Sequence, residues 1–193
     1  MIVVFGGSFN PPTIAHYEIA KHILRQIDCD QFFFLPVGDQ YPKKGLIASS
    51  HRVTMLQLVC EQLERASVST IEVEANHVLT SFETLTLLKE NNPTEEIAFV
   101  IGADNLEDLP NWAQYEQLIR NFKLIVFRRD DIDVDGIIAR QFNRYKNQFI
   151  VLDSFGKMDV SSTQYRENLD RSNLVLECVD QYVKQHQLYR RGE

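Results

Sequence analysis

Short apolar runs of strand length alternate along the chain with segments that have helical spacing. The runs are IVVF at Ile2, FFFLPV at Phe32, TIEV at Thr70, IAFVI at Ile97, KLIVF at Lys123 and FIVL at Phe149. After the first run, apolar side chains recur every three or four positions, at Ala15, Ile19, Ile23 and Ile27. Apolar strands that alternate with amphipathic helices are typical of a parallel sheet covered on both faces. The pattern predicts an α/β fold with a doubly wound, Rossmann-like sheet.

The same spacing predicts the remaining helices. They fall at residues 53–63, 82–89, 113–119 and 137–145, and from residue 174 into a small helical C-terminal part. No internal repeat, low-complexity segment or linker interrupts this order, so we expect a single domain over residues 1–193. Doubly wound sheets bind ligands beyond the carboxyl ends of their strands, and the loops that follow the apolar runs are therefore the candidate functional segments.

Charge narrows the range of partners. The chain carries 20 Lys and Arg against 27 Asp and Glu, a net charge of −7, and the acidic residues are spread along it. A general nucleic-acid binder needs a basic surface to displace counterions from phosphates, so we expect no nucleic-acid partner. A ligand that bears phosphate has to be held locally. Nothing in this composition decides whether the chain forms a homo-oligomer.

Cysteines and apolar run lengths indicate a cytoplasmic protein with no membrane partner. Cys29, Cys60 and Cys178 lie far apart without a C-x-x-C pair, which fits neither a disulfide framework nor a zinc site. No basic segment precedes an apolar one at the amino terminus, and no apolar run reaches the roughly 18 residues that a membrane span needs.

Two glycines, two prolines and a histidine crowd the first strand-to-helix turn, GGSFNPPTIAH, which starts at Gly6. Gly6 and Gly7 permit positive φ and let backbone N–H groups approach a ligand closely. Thr13 is predicted to cap the next helix, with His16 three residues later, and a helix N-terminus favours an anion. We interpret the turn as a phosphate site that faces a histidine. On spacing alone, a tight turn with His16 packed on its helix explains the pattern equally well.

Five segments, in order, resemble those of one enzyme superfamily. GGSFNPPTIAH is similar to the G-x-[FY]-[DN]-P-x-[HT]-x-G-H signature of the HxGH nucleotidylyltransferases. Within this superfamily, the whole chain resembles the bacterial nicotinate-mononucleotide adenylyltransferase family. The other four segments are SSHRVTML at Ser49, IGADNLEDLPNW at Ile101, VFRR at Val126 and VSSTQYR at Val160. One such fragment is weak evidence, but five at ordinary spacing are highly specific.

The resemblance implies an activity. In that family the phosphate of a pyridine mononucleotide attacks the α-phosphorus of ATP and pyrophosphate leaves, a reaction that belongs to NAD biosynthesis. When the family's roles are carried over to this sequence, the resemblance implies that the catalytic residues are His16, Thr13 and Arg166. The ATP-binding residues are Gly6, Gly7, Ser8, Phe9, Ser161, Ser162, Thr163 and Arg166. The resemblance also implies Mg²⁺ held mainly by ATP oxygens and water, with no protein metal site.

The resemblance also implies a set of residues that bind the acceptor. They are Lys43, Lys44, Phe82, Glu83, Asp104, Trp112 and Arg129. From the residues alone, simpler roles stay open. Trp112 can be a half-buried anchor, Asp104 a helix cap and the two lysines a solvated pair.

Three departures from the family pattern bear on the substrate. Thr13 replaces the first histidine of the signature, as in the pantetheine-phosphate branch, and Ala15 replaces its glycine. In an ungapped alignment, Glu83 stands where the family has a threonine that grips the nicotinate carboxylate. Two carboxylates at about 4 Å repel by roughly 4 kcal/mol at an effective dielectric near 20. We therefore hypothesise a relaxed or reversed preference for nicotinamide mononucleotide, the alternative being that Glu83 points to solvent.

Two other functions remain open. An adenylyltransferase for another phosphorylated acceptor, such as phosphopantetheine, is favoured by Thr13 and disfavoured by the long GADNLEDLPNW segment. A nucleotide-binding module that has lost catalysis is suggested by the changes at Thr13, Ala15 and Glu83.

Overall fold

Six parallel strands form one sheet in the computed structural model, which describes residues 1–128, 132–153 and 160–190. The strands are β1 (Ile2–Gly7), β2 (Gln31–Pro36), β3 (Ala66–Val68), β4 (Ile97–Ile101), β5 (Lys123–Phe127) and β6 (Phe149–Leu152). Their order in the sheet is β3-β2-β1-β4-β5-β6, and every neighbouring pair is parallel. The order reverses between β1 and β4. The predicted doubly wound sheet is confirmed, and this reversal opens a crevice at the carboxyl ends of β1 and β4.

Helices connect the strands and cover both faces of the sheet. They are α1 (Ile14–Gln26), α2 (Ser49–Cys60), α3 (Ile71–Glu74), α4 (Ser81–Asn91), α5 (Ala103–Asp108), α6 (Tyr115–Asn121), α7 (Val134–Gln141), α8 (Ser162–Glu167) and α9 (Glu177–Gln185). Short 3₁₀ helices cover Leu109–Asn111, Asn143–Gln148 and Ser172–Leu174. In the described part of the chain, no helix combines the length and apolar character that a membrane span requires.

The core lies in two layers, one on each face of the sheet. Because side chains alternate along a strand, Val4 of β1 belongs to one layer and Val3 to the other. Phe99 and Val100 of β4 divide in the same way. The second layer also includes Val179 of α9, so the C-terminal helix packs onto the layer that α1 and α2 cover. Both layers end at the crevice and fix the loops that surround it.

Five of the six predicted strands are confirmed, and the strand at TIEV is wrong. β3 comes earlier, at Ala66–Val68, and Ile71–Glu74 forms α3. The backbone N–H of Ser69 makes the last bond to β2, at Phe34 O. The chain then turns, and Thr70 O accepts from Glu74 N at 2.9 Å as in a helix. Four alternating residues are too few for periodicity to separate a strand from one helical turn.

Candidate active site

Two helix N-termini meet beside the turn that follows β1. Thr13 is the N-cap residue of α1, and Ser161 is the N-cap residue of α8, where its Oγ accepts from Gln164 N at 3.2 Å. Ser162 Oγ donates to Pro11 O at 2.8 Å and so ties α8 to the turn, although about 150 residues separate them. The helix starts predicted after Thr13 and at Ser161 are confirmed. Both leave N–H groups free to bind an anion.

His16 is oriented by the cap of its own helix. Its Nδ1 lies 2.9 Å from the backbone nitrogen of Thr13 and accepts that hydrogen, and Thr13 Oγ1 lies 2.8 Å from the same atom. A neutral imidazole whose Nδ1 accepts must carry its hydrogen on Nε2. Nε2–H makes no hydrogen bond within the residues that the structure describes. The ring therefore presents one free donor on the side away from the cap.

The aromatic surroundings of His16 keep it neutral. Its ring centroid lies 5.0 Å from that of Phe9 and 5.8 Å from that of Phe5. Burial, with the charge of Lys43 as the smaller cause, lowers the pKa of His16 to about 4. At neutral pH the imidazole is thus a hydrogen-bond donor through Nε2, and not a cation.

Three cations surround the same turn. Lys43 Nζ donates to Ser8 Oγ at 2.8 Å, and Arg166 Nη1 donates to Asn10 O at 2.7 Å. Arg52 is fully buried below them. Burial lowers the pKa of Lys43, and the charges of Arg166 and Arg52 lower it further. Positive charges that lower the pKa of Lys43 in this way favour an anion beside it.

Arg52 ties the turn to the loop that carries Lys43. Its Nη1 donates to Ser8 O at 3.2 Å, its Nε to Ile47 O at 2.9 Å and its Nη2 to Asp39 Oδ1 at 3.1 Å. Asp39 also accepts from the backbone and side chain of Ser49 at the start of α2. The buried charge is therefore both paired and hydrogen-bonded, as a buried arginine requires.

The positive φ predicted for the two glycines of the turn is wrong, and the structure gives both a packing role. Both lie in β1, and neither has positive φ; the residue with positive φ is Phe9, at 43°. A Cβ on Gly7 would lie 3.1 Å from the ring of Phe9, and one on Gly6 would lie 3.1 Å from the ring of Phe99. The glycines make room for aromatic rings, and the buried Phe9 ring is packed beneath the site.

Trp112, Phe82 and Asp104 lie on elements that pack against one face of the sheet. The ring of Trp112 is half-buried and lies 6.5 Å from that of Phe99, centroid to centroid. Phe82 packs against the same core layer as Trp112. Asp104 is exposed in the first turn of α5, directly after β4. The structure thus places Asp104 at the carboxyl end of β4 and packs the two aromatic rings against the core layer on that side of the sheet.

Glu83 has a structural role in the start of α4. Its carboxylate accepts from Thr80 N at 2.8 Å and from Thr80 Oγ1 at 2.9 Å, while Thr80 Oγ1 accepts from Glu83 N at 3.2 Å. This reciprocal arrangement is a capping box, and it lowers the pKa of Glu83. The exposed carboxylate already has donors in the protein itself.

Two residues predicted to bind the acceptor remain, Lys44 and Arg129. Lys44 is exposed beside Lys43, which alone of the two lysines reaches Ser8. Arg129 lies outside the described residues. No three His, Cys, Asp or Glu side chains come together to hold a metal ion in residues 1–128, 132–153 and 160–190.

Sequence reasoning missed Asn10, Asp39 and Arg52 as organisers of the site. Asn10 is 1% exposed and Arg52 0% exposed. Arg52 stands inside SSHRVTML, and a charged residue at a core-facing position of a helix was the available signal. Asp39 has no such signal, because it lies in a loop of irregular structure, ten residues before its partner Ser49.

A parallel sheet with two helix N-termini and a neutral histidine at its crevice defines a nucleotide-binding enzyme of the nucleotidyltransferase class. Residues 4–168 match the cytidylyltransferase-like family, and the chain belongs to that family. Within it, the chain is similar to a probable nicotinate-nucleotide adenylyltransferase of Acholeplasma laidlawii, at 31% identity over 98% of this chain and 97% of the relative. A protein of the same name from Carboxydothermus hydrogenoformans is 32% identical over 98% of both chains.

The fold is shared with a solved enzyme. The structure of Plasmodium falciparum nicotinic acid mononucleotide adenylyltransferase complexed with NaAD superposes with a TM-score of 0.82 at 18% identity, over 97% of this chain and 96% of the other. The same enzyme complexed with APC gives a TM-score of 0.81. At this identity the likeness establishes the fold, and the predicted Rossmann-like nucleotidylyltransferase sheet is confirmed.

Proposed function

We propose that this protein transfers AMP from ATP to nicotinate mononucleotide and produces deamido-NAD and pyrophosphate, a step of NAD biosynthesis. The observation that carries the proposal is the Nε2–H of His16, held as a neutral donor beside Lys43 at the start of α1. The full-length similarity to nicotinate-nucleotide adenylyltransferases supports the choice of reaction and acceptor.

The reaction is a direct displacement at phosphorus. A phosphate oxygen of the mononucleotide bonds to the α-phosphorus of ATP, the bond to the bridging oxygen of the β-phosphate breaks, and pyrophosphate leaves with that electron pair. Catalysis then requires that two anions be held together and that the charge developing around phosphorus be stabilised. His16 Nε2–H donates to an oxygen of the reacting phosphate, where a fixed donor lowers the barrier.

The cations and helix starts assemble the two substrates. Lys43 and Arg166 attract the phosphates, and the charge of Arg52 beneath the turn reinforces them. The free N–H groups at the start of α8 bind the polyphosphate of ATP, next to the hydroxyls of Ser162 and Thr163. Thr13 stands where the family signature has its first histidine. It contributes to catalysis by orienting His16.

Magnesium is proposed to enter with ATP. Hydroxyls, N–H groups and cations surround the site, and the described residues offer no carboxylate cluster for a metal. This donor set fits Mg²⁺ that keeps phosphate oxygens and water as its ligands. Bound in that way, the ion would neutralise part of the charge on the polyphosphate.

The acceptor is proposed to be the acid form of the pyridine mononucleotide. Trp112 and Phe82 provide aromatic surface for the ring at the crevice. Glu83 is the residue that suggested a preference for the amide. Its carboxylate accepts hydrogen bonds from Thr80 at the cap of α4. That bonding removes the reason to expect repulsion of the nicotinate carboxylate.

Both groups of binding residues lie on loops of one sheet, and we propose that residues 1–193 form a single domain. The turn after β1, together with α1 and α8, contributes the phosphate site. Helices α4 and α5 contribute the acceptor side. A single cooperative transition in thermal unfolding, seen alike by far-UV circular dichroism and Trp112 fluorescence, would support this. Two separated transitions would contradict it.

Pyrophosphate release from ATP and Mg²⁺ with a panel of acceptors tests the function. The acceptors are nicotinate mononucleotide, nicotinamide mononucleotide and phosphopantetheine, and His16→Ala serves as the matched control. Release with nicotinate mononucleotide alone, lost in His16→Ala, supports the proposal. Release only with phosphopantetheine assigns another acceptor, and no release with any acceptor identifies a binding module without catalysis.

A further inference from the structure

The C-terminal segment reaches back to the phosphate turn. Tyr189 Oη donates to Asn10 Oδ1 at 3.0 Å, across 179 residues of sequence. Two residues of this segment, Gln187 and Tyr189, have positive φ, at 54° and 61°. Left-handed backbone at residues other than glycine is uncommon and persists where surrounding contacts hold it. The tail is therefore held in a specific conformation against the turn.

Asn10 joins three separate segments. Its Nδ2 donates to Gly45 O at 2.8 Å, and its Oδ1 accepts from Ile47 N at 3.3 Å as well as from Tyr189. Its own carbonyl accepts from Arg166 Nη1 at 2.7 Å. Gly45 and Ile47 belong to the loop that carries Lys43. The side-chain amide of Asn10 thus holds the Lys43 loop against the turn, and the backbone carbonyl of the same residue holds Arg166 of α8.

The phenol of Tyr189 stays protonated where it lies. Burial raises its pKa, although the charges of Arg166 and Arg52 act in the opposite direction. The hydroxyl is consequently a fixed donor. Because this hydroxyl donates to the amide oxygen of Asn10, the amide nitrogen is left to donate to Gly45 O.

We propose that Tyr189 is a positioning residue of the phosphate site. It acts through Asn10, whose amide it orients, and so sets the separation between Lys43 and Arg166, the two cations proposed to hold the phosphates. This inference rests on the proposed use of the site for a polyphosphate. It makes anion affinity depend on a residue near the opposite end of the chain.

Tyr189→Phe removes the hydroxyl and keeps the ring, and Tyr182→Phe is its matched control. Tyr182 Oη contacts His51 Nδ1 at 2.9 Å on α2, in the same C-terminal part but away from Asn10. Two constants are measured: the Kd of inorganic pyrophosphate, by calorimetry, and the KM for ATP. Because one orienting hydrogen bond is lost, Tyr189→Phe is expected to raise both constants about three- to tenfold, with kcat changed less than about threefold. Tyr182→Phe leaves both near the wild-type values.

Two outcomes overturn the proposal. One is unchanged pyrophosphate affinity in Tyr189→Phe, and the other is an equal loss in Tyr182→Phe, which would assign the effect to packing of the C-terminal part. Thermal unfolding of both variants separates a positioning effect from a loss of folded protein. Pyrophosphate binding needs no acceptor, so weaker binding in Tyr189→Phe supports the positioning role even where no acceptor is adenylylated and the proposed function fails.

Discussion

The imidazole Nδ1 of His16 accepts a hydrogen bond from the backbone N–H of Thr13 at 2.9 Å. Thr13 caps the helix on which His16 stands, so the start of α1 and the orientation of its histidine are set by the same two residues. A fixed acceptor at Nδ1 leaves a fixed donor at Nε2. The catalytic proposal depends on that donor.

Loss of the donor should abolish most of the activity. His16→Ala is expected to lower kcat/KM by at least about 100-fold, the scale of one lost transition-state donor. His22→Ala, on the same helix, is the control and should stay within about twofold. Steady-state pyrophosphate release measures both. Near-normal turnover in His16→Ala would remove His16 from the mechanism.

The protonation state of His16 can be observed directly. Nitrogen-15 NMR of the ligand-free protein should show hydrogen on Nε2 and a titration near the pKa of about 4. Because an unfolded histidine binds a proton near pH 6.5, the unfolded state takes up more protons below that pH. This contribution to stability is therefore complete above about pH 6.5 and is lost as the pH falls toward 4. A titration of His16 near 6.5 would contradict the account.

Lys43 and Lys44 form a natural matched pair. Both lysines are exposed, and of the two it is Lys43 that donates to Ser8 at the turn. Lys43→Ala should lower kcat/KM for the acceptor about tenfold or more, because a charge-assisted contact to phosphate is lost. Lys44→Ala should stay within about twofold. Equal losses in the two variants would show that only the overall charge of the loop matters.

Glu83 should not decide between acid and amide substrates. Glutamine also serves at this position of a capping box, so Glu83→Gln keeps the start of α4 while removing the charge. The ratio of kcat/KM for nicotinate and nicotinamide mononucleotides should change less than about threefold. Glu83→Ala, which breaks the reciprocal cap, should lower the free energy of unfolding measured in urea, whereas Glu83→Gln should leave it near the wild-type value. A tenfold shift of the ratio toward the acid in Glu83→Gln would restore the charge hypothesis.

Gly7 should tolerate no side chain. A Cβ there would meet the ring of Phe9 at 3.1 Å, and Phe9 is buried with positive φ and cannot move aside easily. Gly7→Ala is expected to lower the free energy of unfolding by about 1–3 kcal/mol, measured in urea. At Gly102 the nearest neighbouring atom would be 3.9 Å away, so Gly102→Ala is the control, expected to cost less than about 1 kcal/mol because it only replaces the N-cap residue of α5. Equal stabilities of the two variants would refute this packing argument.

Local patterns predicted most of the fold and the place of the site. The apolar runs IVVF, IAFVI, KLIVF and FIVL became strands, as continuous apolar runs do in a parallel sheet. TIEV is as short as IVVF, but polar residues alternate with its apolar ones, and hydrogen bonding beyond Ser69 decided in favour of a helix. The turn GGSFNPPTIAH was placed correctly, but the reason for its glycines is an aromatic packing that no local pattern contains.

The features that the sequence did not reveal are contacts between residues that lie far apart along the chain. Asn10 and Tyr189 meet across 179 residues, and each has an ordinary local context. Glu83 has two compatible local roles, as a cap and as a contact for the substrate, and only the geometry at Thr80 shows the first. Polar networks of this kind are set by how the elements pack, which periodicity does not encode.

Phosphorus-31 NMR of the wild-type protein mixed with ATP, Mg²⁺ and nicotinate mononucleotide tests the central claim most directly. The account predicts that the ATP signals are replaced by one dinucleotide pyrophosphate diester and one free pyrophosphate for each ATP consumed. ATP that stays intact, or that is converted to ADP and inorganic phosphate, would contradict it.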